Sequence, residues 1–377
     1  MTDSAGGGST DRDAAEPTVV VREARQADAD AVAAFTRDTW GDRHDDYIPR
    51  VFPEWVAADD PDRGTFVATL PAAAIDGSEA IAESDDREAG DTLVEGDGTG
   101  AAASGEQEAV VGCIQGALLT EWEAWGQGIR VDPAARGFGV GTALSTAALD
   151  WARDRGATVC RNMVFSWNAA GLGQSRAVGF EPSTEFRFAE PEPAADAEPA
   201  LASSQYRALA DPDPNAAWAF WTDSDARDHL DGLALDDDES WACSELTRER
   251  LRIAADEGRL LVVAEGGTEA APDTHGRIAG FAVRTRVSER PGDDESDAPK
   301  RVAVYGLAAW RDVDAAGALY KTVAADVAGV DADAARVLIP ETVDHVSDTA
   351  ANRVSVAGNP DFVMRADLTD GGAPADL

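Results

Sequence analysis

The chain is expected to fold as an α+β (mixed α/β) protein built from two tandem copies of one unit. Each copy is a central mixed, largely antiparallel β-sheet flanked by helices. Three observations predict this. The length of 377 residues exceeds one ordinary domain, and two of roughly 150–200 residues are the natural expectation. Hairpin-like strand pairs share the first half with a strand–helix–strand crossover, which is a mixed-sheet layout. After a stretch rich in Pro, Ala and Glu at 190–200, the same order of elements recurs, as in a tandem repeat.

The elements follow in chain order. Residues 1–17 are small, polar and acidic and read as a disordered tail. TVVVREA (18–24) reads as a strand, and DADAVAAFTRDTW (28–40) has helical spacing behind a capping Asp28. YIPRVFPEWVAA (47–58) is a second helix whose start is restricted by Pro49 and Pro53, and GTFVATL (64–70) is a strand. Residues 71–108 hold eleven acidic residues and one Arg, the composition of an inserted surface loop. AVVGCIQGALL (109–119) and WGQGIRV (125–131) form a hairpin, and GTALSTAALDWARDR (141–155) is an amphipathic helix. ATVCRNMVF (157–165) is a strand, NAAGLGQSRAVGF (168–180) a short helix ending at Gly179, and TEFRFA (184–189) a closing strand.

The first copy therefore spans 18–190 and the linker 191–203. The second copy spans 204–370, before a short tail at 371–377. In it QYRAL (205–209) is a strand, followed by helices over 215–233 and 245–258. Strands at 259–265, 277–287 and 301–310 lead into a helix at 314–330. A strand at 335–342, a helix near 348–358 and DFVMRADL (361–368) close the chain.

Composition narrows the partners. Seventy-one acidic residues stand against 32 basic ones, a net charge of −39, and Lys300 and Lys321 are the only lysines. That style resembles proteins of extreme halophiles, where a dense carboxylate surface keeps the chain hydrated in concentrated salt. It argues against nucleic acid, which requires clustered Lys and Arg. No apolar run approaches the roughly 20 residues that span a bilayer, and the N-terminus lacks the basic and apolar blocks of a signal peptide. Cys113, Cys160 and Cys243 are widely spaced in apolar contexts. That spacing favours neither a disulfide framework nor a metal site, and fits a reducing cytoplasm.

DPAARGFGVGTAL (132–144) is the segment with chemistry in it. Gly137, Gly139 and Gly141 remove the Cβ atoms that block close approach of a ligand to backbone. The helix behind them turns its positive end to the same place. A strand-to-helix turn without a ligand needs similar residues, so the glycines alone leave both readings open. A Walker loop is excluded because no Lys is present, and the dinucleotide fingerprint because no Gly stands at 142.

Val131-Asp132-Pro133-Ala134-Ala135-Arg136-Gly137-Phe138-Gly139-Val140-Gly141 resembles the acetyl-CoA motif [RQ]-x-x-G-x-[GA] of the GNAT N-acetyltransferases. The stretch from Asn168 to Gly179-Phe180 is similar to that family's downstream N-(x)10-G-F signature. The resemblance covers roughly 18–190; in the second half it rests on element order. It implies that the backbone of Ile129, Arg130 and Val131 bonds the pantetheine arm of acetyl-CoA. It places the pyrophosphate on the amides of Arg136, Gly137, Phe138, Gly139, Val140, Gly141 and Thr142, and Asn168 near the sulfur. It further implies a splay, often with a bulge, between the fourth and fifth strands.

Acetyl transfer to an amine needs a base for the amine proton and a donor toward the leaving thiolate. The family's usual acid, a Tyr seven residues after the Asn, is Ser175 here. Glu121 and Glu123, just before the fourth strand, are candidate bases, as is His44 beside Asp45 and Asp46; loop carboxylates in an acidic chain and an incidental His are the alternatives. Trp40, Tyr47, Trp122 and Trp125 are expected near the same pocket. In the second copy, Arg311 is in register with the motif. Asp314 and Ala316 replace its first two glycines, so that copy is expected not to hold acetyl-CoA. The function implied is a cytoplasmic N-acetyltransferase acting on a small-molecule or peptide amine, as monomer or homodimer, without a metal. A non-catalytic acyl-CoA-binding or regulatory protein is the first alternative, and a structural tandem domain without ligand the second.

Overall fold

The computed structural model describes residues 17–41, 46–75, 108–194, 205–266, 276–290 and 298–369. The acidic loop, the linker, both tails and His44 fall wholly or almost wholly outside them. The chain divides into two compact units, 1–116 with 128–151, and 117–127 with 152–377. The dividing line crosses a hairpin whose tip, Ala117–Gln127, belongs to the second unit.

The first unit opens with β1 (Val20–Glu23), then α1 (Ala29–Thr36) and α2 (Ile48–Ala57). Next come β2 (Arg63–Pro71), β3 (Glu108–Leu118), β4 (Glu123–Val131) and α3 (Val140–Asp154), the strands ordered β1-β2-β3-β4. Val32, Ile48, Phe52, Val67 and Cys113 form a core beneath the first two helices. α3 lies against a trough of glycines. A Cβ on Gly112 would meet Leu144 at 2.8 Å and Val140 at 2.9 Å, and one on Gly64 or Gly116 would meet the Trp151 ring. These strand glycines lack side chains because a helix occupies the space.

The second unit takes up the hairpin tip, then β5 (Val159–Phe165), α4 (Ala169–Ala177) and β6 (Glu181–Glu190). β7 (Tyr206–Ala208), α5 (Pro214–Thr222), α6 (Asp225–His229), β8 (Leu233–Leu235), β9 (Cys243–Glu245) and α7 (Arg248–Asp256) follow. β10 (Leu260–Glu265), β11 (Ile278–Arg290), β12 (Lys300–Trp310), α8 (Val313–Gly329) and β13 (Ala334–Pro340) build the rest of the sheet. α9 (Val343–Ala351), β14 (Ser355–Val356) and β15 (Asp361–Asp367) end the fold.

Two helices expected from the sequence move. The run at 215–233 breaks at Ser224, whose hydroxyl caps a new helix by accepting from the Arg227 amide at 3.2 Å. The helix placed near 348–358 lies at Val343–Ala351 because Thr342 caps it, accepting from the His345 amide at 3.1 Å.

Strand order in the second unit departs from sequence order. β15, the last strand of the chain, inserts between β5 and β6 and pairs antiparallel with both. β6 continues into β13 through four antiparallel pairs, Val337↔Ala189 to Pro340↔Phe186. Each sequence half thus gives its last strand to the other half's sheet. β12 and β13 run parallel, as do the starts of β4 and β5 over Glu123↔Val159 to Trp125↔Arg161. Phe186, Trp221, Phe281, Leu307 and Val363 lie in the core on one face of this sheet. On the other face α8 sets Ala315, Ala316 and Ala318 against Ala279, Ala282 and Ala303. Small residues on both sides bring the helix close. No helix among the described residues is long and apolar enough to cross a membrane.

Candidate functional site

In the first unit, β4 ends at Val131 and the Asp132 amide still donates to Val111 O, 2.8 Å. Asp132 then caps a single 3₁₀ turn at Pro133–Ala135, accepting from the Ala134 amide at 2.9 Å. Arg136 leaves that turn extended (φ −66°, ψ 145°) and exposed. Gly137 and Gly139 adopt φ of +86° and +75°, the left-handed region that only glycine enters freely. A Cβ at either would meet nothing within 4 Å. Conformation, not crowding, demands glycine there, and the loop bounds open space.

Among the described residues, the amides of Gly137 to Thr142 make no backbone hydrogen bond within the chain. The ladder of α3 begins with the Ala143 amide on Gly139 O, 3.0 Å. Several N–H groups at the positive end of a 15-residue helix are therefore left without a backbone partner, and unpaired amides at a helix start are what holding a phosphate requires. Val140 and Leu144, 1% and 0% exposed, fix that helix end on the sheet.

β4 carries a distortion before the loop. Gly128 has φ +65° within the strand, and a Cβ there would meet Trp55 at 2.6 Å and Ile48 at 2.9 Å. Arg130 forms a two-point ion pair with buried Asp46, at 2.6 and 3.1 Å. Its guanidinium lies 4.8 Å from the Trp40 ring and 5.6 Å from the Tyr47 ring. The Arg130 side chain is a strut tying β4 to the segment that enters α2. Ile129 and Val131 flank it, half-buried.

In the second unit, Asn168 caps α4 by accepting from the Gly171 amide at 3.0 Å. Its oxygen is thereby spent on the helix, which leaves the side-chain NH₂ as a donor. Ser175 is 5% exposed and its hydroxyl accepts from Asn162 Nδ2 at 3.2 Å. Asn162 Oδ1 is buried without a partner among the described residues. Asn162 is the residue that sequence reasoning passed over; the only signal was an amide inside an otherwise apolar and basic strand.

Glu123 is corrected as a candidate base. It is fully buried and paired to Arg161 at 2.6 Å, with side-chain exposures of 1% and 7%. The same oxygen accepts the Glu245 amide at 3.0 Å, and the other accepts from the Thr120 hydroxyl at 3.3 Å. Both oxygens are engaged, so the carboxylate holds structure together. Glu123→Gln is expected to cost about 3–5 kcal/mol, because it leaves Arg161 buried and uncompensated. A thermal melt reads the loss, and the double variant Glu123→Leu/Arg161→Met is expected to recover most of it. Glu121 is exposed on the hairpin tip. Of the four aromatics, Trp125 is a core residue at 2% exposure and Trp122 is 43% exposed, so these two are not pocket walls together. Burial pushes the thiols of Cys113, Cys160 and Cys243 up to about 12, which removes them as nucleophiles.

The counterpart loop after β12 is closed. Only Arg311 and Asp312 separate the strand from α8, and Asp312, not Asp314, takes the decisive position. Its carboxylate accepts from the Ala315 amide at 2.9 Å and from the Tyr206 hydroxyl at 2.6 Å. Asp314 lies in the first helical turn and Ala316 is buried inside the helix. Arg311 is paired to Glu265 at 2.6 Å, and Asn352 donates to Val313 O at 3.0 Å. A carboxylate of the chain already occupies the helix end where an anion would bind.

Residues 75–173 match the profile of the acetyltransferase (GNAT) family, a segment holding β3, β4, the glycine loop, α3, β5 and Asn168. No curated protein matches the sequence. Among solved structures, a GCN5-related N-acetyltransferase from Sphaerobacter thermophilus is 15% identical with a TM-score of 0.52. The alignment covers 95% of this chain and 98% of that one. A tandem GNAT protein from the clavulanic acid biosynthesis pathway is 14% identical, covering 94% and 100% of the two chains, with a TM-score of 0.45. A putative acetyltransferase from Pyrococcus horikoshii is 12% identical over 95% and 91%, with a TM-score of 0.44. The fold is that of the GCN5-related N-acetyltransferases.

Proposed function

We propose that this chain moves an acetyl group from acetyl-CoA to a primary amine of a small molecule or peptide, with the donor held by its first half. The observation that carries this reading is the contrast between the two loops: the amides of Gly137 to Thr142 have no backbone partner among the described residues, whereas Asp312 caps the second helix. The pyrophosphate oxygens would accept from the amides of Gly137 to Thr142, with the α3 dipole adding to the attraction; the Arg136 amide, expected to join them, already donates to Pro133 O at 3.4 Å. The backbone of Ile129 to Val131, next to the Gly128 distortion, would bond the pantetheine amides.

In the reaction the neutral amine nitrogen forms a bond to the acetyl carbon, and the carbon–sulfur bond breaks to release the thiolate. The ammonium proton passes to a base and a proton returns to sulfur, so charge balances. Glu121 and His44 are the remaining candidates for the base, since Glu123 is committed to Arg161. Ser175 is a hydrogen-bond donor too weakly acidic to supply the proton itself.

Two observations favour a second reading, an acyl-CoA-binding protein without turnover: Ser175 is buried against Asn162, and Glu123 is locked in an ion pair. Calorimetric titration with acetyl-CoA, followed by thiol release with a panel of amines, separates the two. The expected result is saturable binding and amine-dependent release of coenzyme A. Binding without release by any amine supports the second reading, and no binding overturns both.

A further inference from the structure

Five carboxylates are buried among the described residues, and four of them are matched. Asp28 is held by Arg22, Asp46 by Arg130 and Glu123 by Arg161. Asp236 accepts from the Ser244 hydroxyl and from the amides of Asp238 and Glu239. Asp361, the first residue of β15, is the exception. It is 8% exposed, and no hydrogen bond or ion pair reaches its carboxylate among the described residues. Neither oxygen is sealed in the interior; the accessible surface that the residue keeps includes both.

Its place in the sheet explains the isolation. Asp361 stands opposite Phe165 on β5 and opposite Phe186 on β6, and directly opposed residues share a face of the sheet. Its backbone is held in place by the Ser166 amide, which donates to Pro360 O at 3.4 Å. Phe186 is sealed at 1% exposure, whereas Phe165 is half-buried and stacks on Trp167, ring centroids 5.2 Å apart. Arg336 of β13 is the one cation whose charge acts on Asp361. Its guanidinium is turned elsewhere, 4.2 Å from the Phe188 ring, with Nε 3.7 Å from Glu190. Burial outweighs that attraction and pushes the Asp361 carboxyl up to about 6. The other titratable group within its field, the Cys243 thiol on β9, is neutral. A largely desolvated carboxylate without a partner is stabilised by a cation that reaches it. One carboxylate among rings cannot replace the roughly six to eight oxygens that a calcium ion takes. An ammonium gains from both the charge and the ring faces.

We propose that Asp361 anchors a primary organic ammonium ion whose apolar body lies on the Phe165–Trp167 stack. The site lies wholly within the second unit and is independent of acetyl-CoA on the glycine loop.

Calorimetry on the full chain at about pH 7 tests it with phenethylamine, a cation there, and with neutral 2-phenylethanol. Phenethylamine is expected to bind once per chain, with 2-phenylethanol at least about tenfold weaker. Asp361→Asn is expected to weaken phenethylamine about tenfold or more and to leave 2-phenylethanol unchanged. Trp167→Leu is expected to weaken both about threefold, while Asp211→Asn, exposed elsewhere, leaves both as in the parent. From about pH 7 to about pH 5 the parent is expected to lose about tenfold in affinity for phenethylamine, because protonated Asp361 offers no charge. The profile of Asp361→Asn is expected to be flat. The parent's profile is read on the unaltered chain, so it decides the matter however the variant folds. Absence of saturable binding, equal affinity for 2-phenylethanol, a flat profile in the parent, retained affinity in Asp361→Asn, or equal loss in Asp211→Asn overturns the proposal.

Discussion

Gly139→Glu is expected to abolish acetyl-CoA binding, a loss on the order of 100-fold or more, equivalent to at least ~2.7 kcal/mol, without unfolding the chain. Two costs combine. A non-glycine residue at φ +75° carries a strain of roughly 1–2 kcal/mol, and a carboxylate is set among amides that would face phosphate. No atom lies within 4 Å of the new Cβ, so steric clash adds nothing and the fold is spared. Gly139→Ala separates the terms: it carries the strain without the charge, and a loss of only about tenfold is expected. Calorimetry with acetyl-CoA reads both, and circular dichroism melts report the fold. If Gly139→Glu retains affinity within about threefold of the parent, the pyrophosphate does not lie on this loop.

The prediction rests on a site whose local half was legible and whose long-range half was not. Glycines at 137, 139 and 141 between a strand and an amphipathic helix are local facts, and the structure returns a strand, a positive-φ loop and a helix there. The element order at 18–70 is likewise periodic and came through. The commitment of Glu123 to Arg161 is different: the partners lie 38 residues apart, and nothing in the sequence around either predicts the pairing. Asp312 shows the same limit on a smaller scale. Counting from the motif pointed to Asp314, whereas helix capping placed the carboxylate two residues earlier, because the first residue outside the helix accepts the free amides.

The exchange of strands is the least legible feature and yields the other large expected effect. β15 reads locally as one more apolar strand, and no period within it names β5 and β6 as its neighbours. Deleting residues 361–377 is expected to unfold the second unit. The deletion strips seven registered pairs from β5 and five from β6. It also removes Val363, Met364, Ala366 and Leu368, each at most 4% exposed. At about 1.5–3 kcal/mol for each large apolar side chain, this loss rivals the whole stability of a domain, roughly 5–15 kcal/mol. A chain ending at Thr369 keeps β15 and is expected to melt like the parent. Val363→Ala/Met364→Ala, which leaves the backbone ladder in place, should lower the melting temperature by several degrees without loss of solubility. The same topology means that cutting at 191–203 does not release two complete folds: β5 and β6 stay in the first piece while β15, the strand between them, leaves with the second. A soluble, cooperatively melting 18–190 fragment would show that β5 and β6 close on each other without β15, and would overturn the exchange.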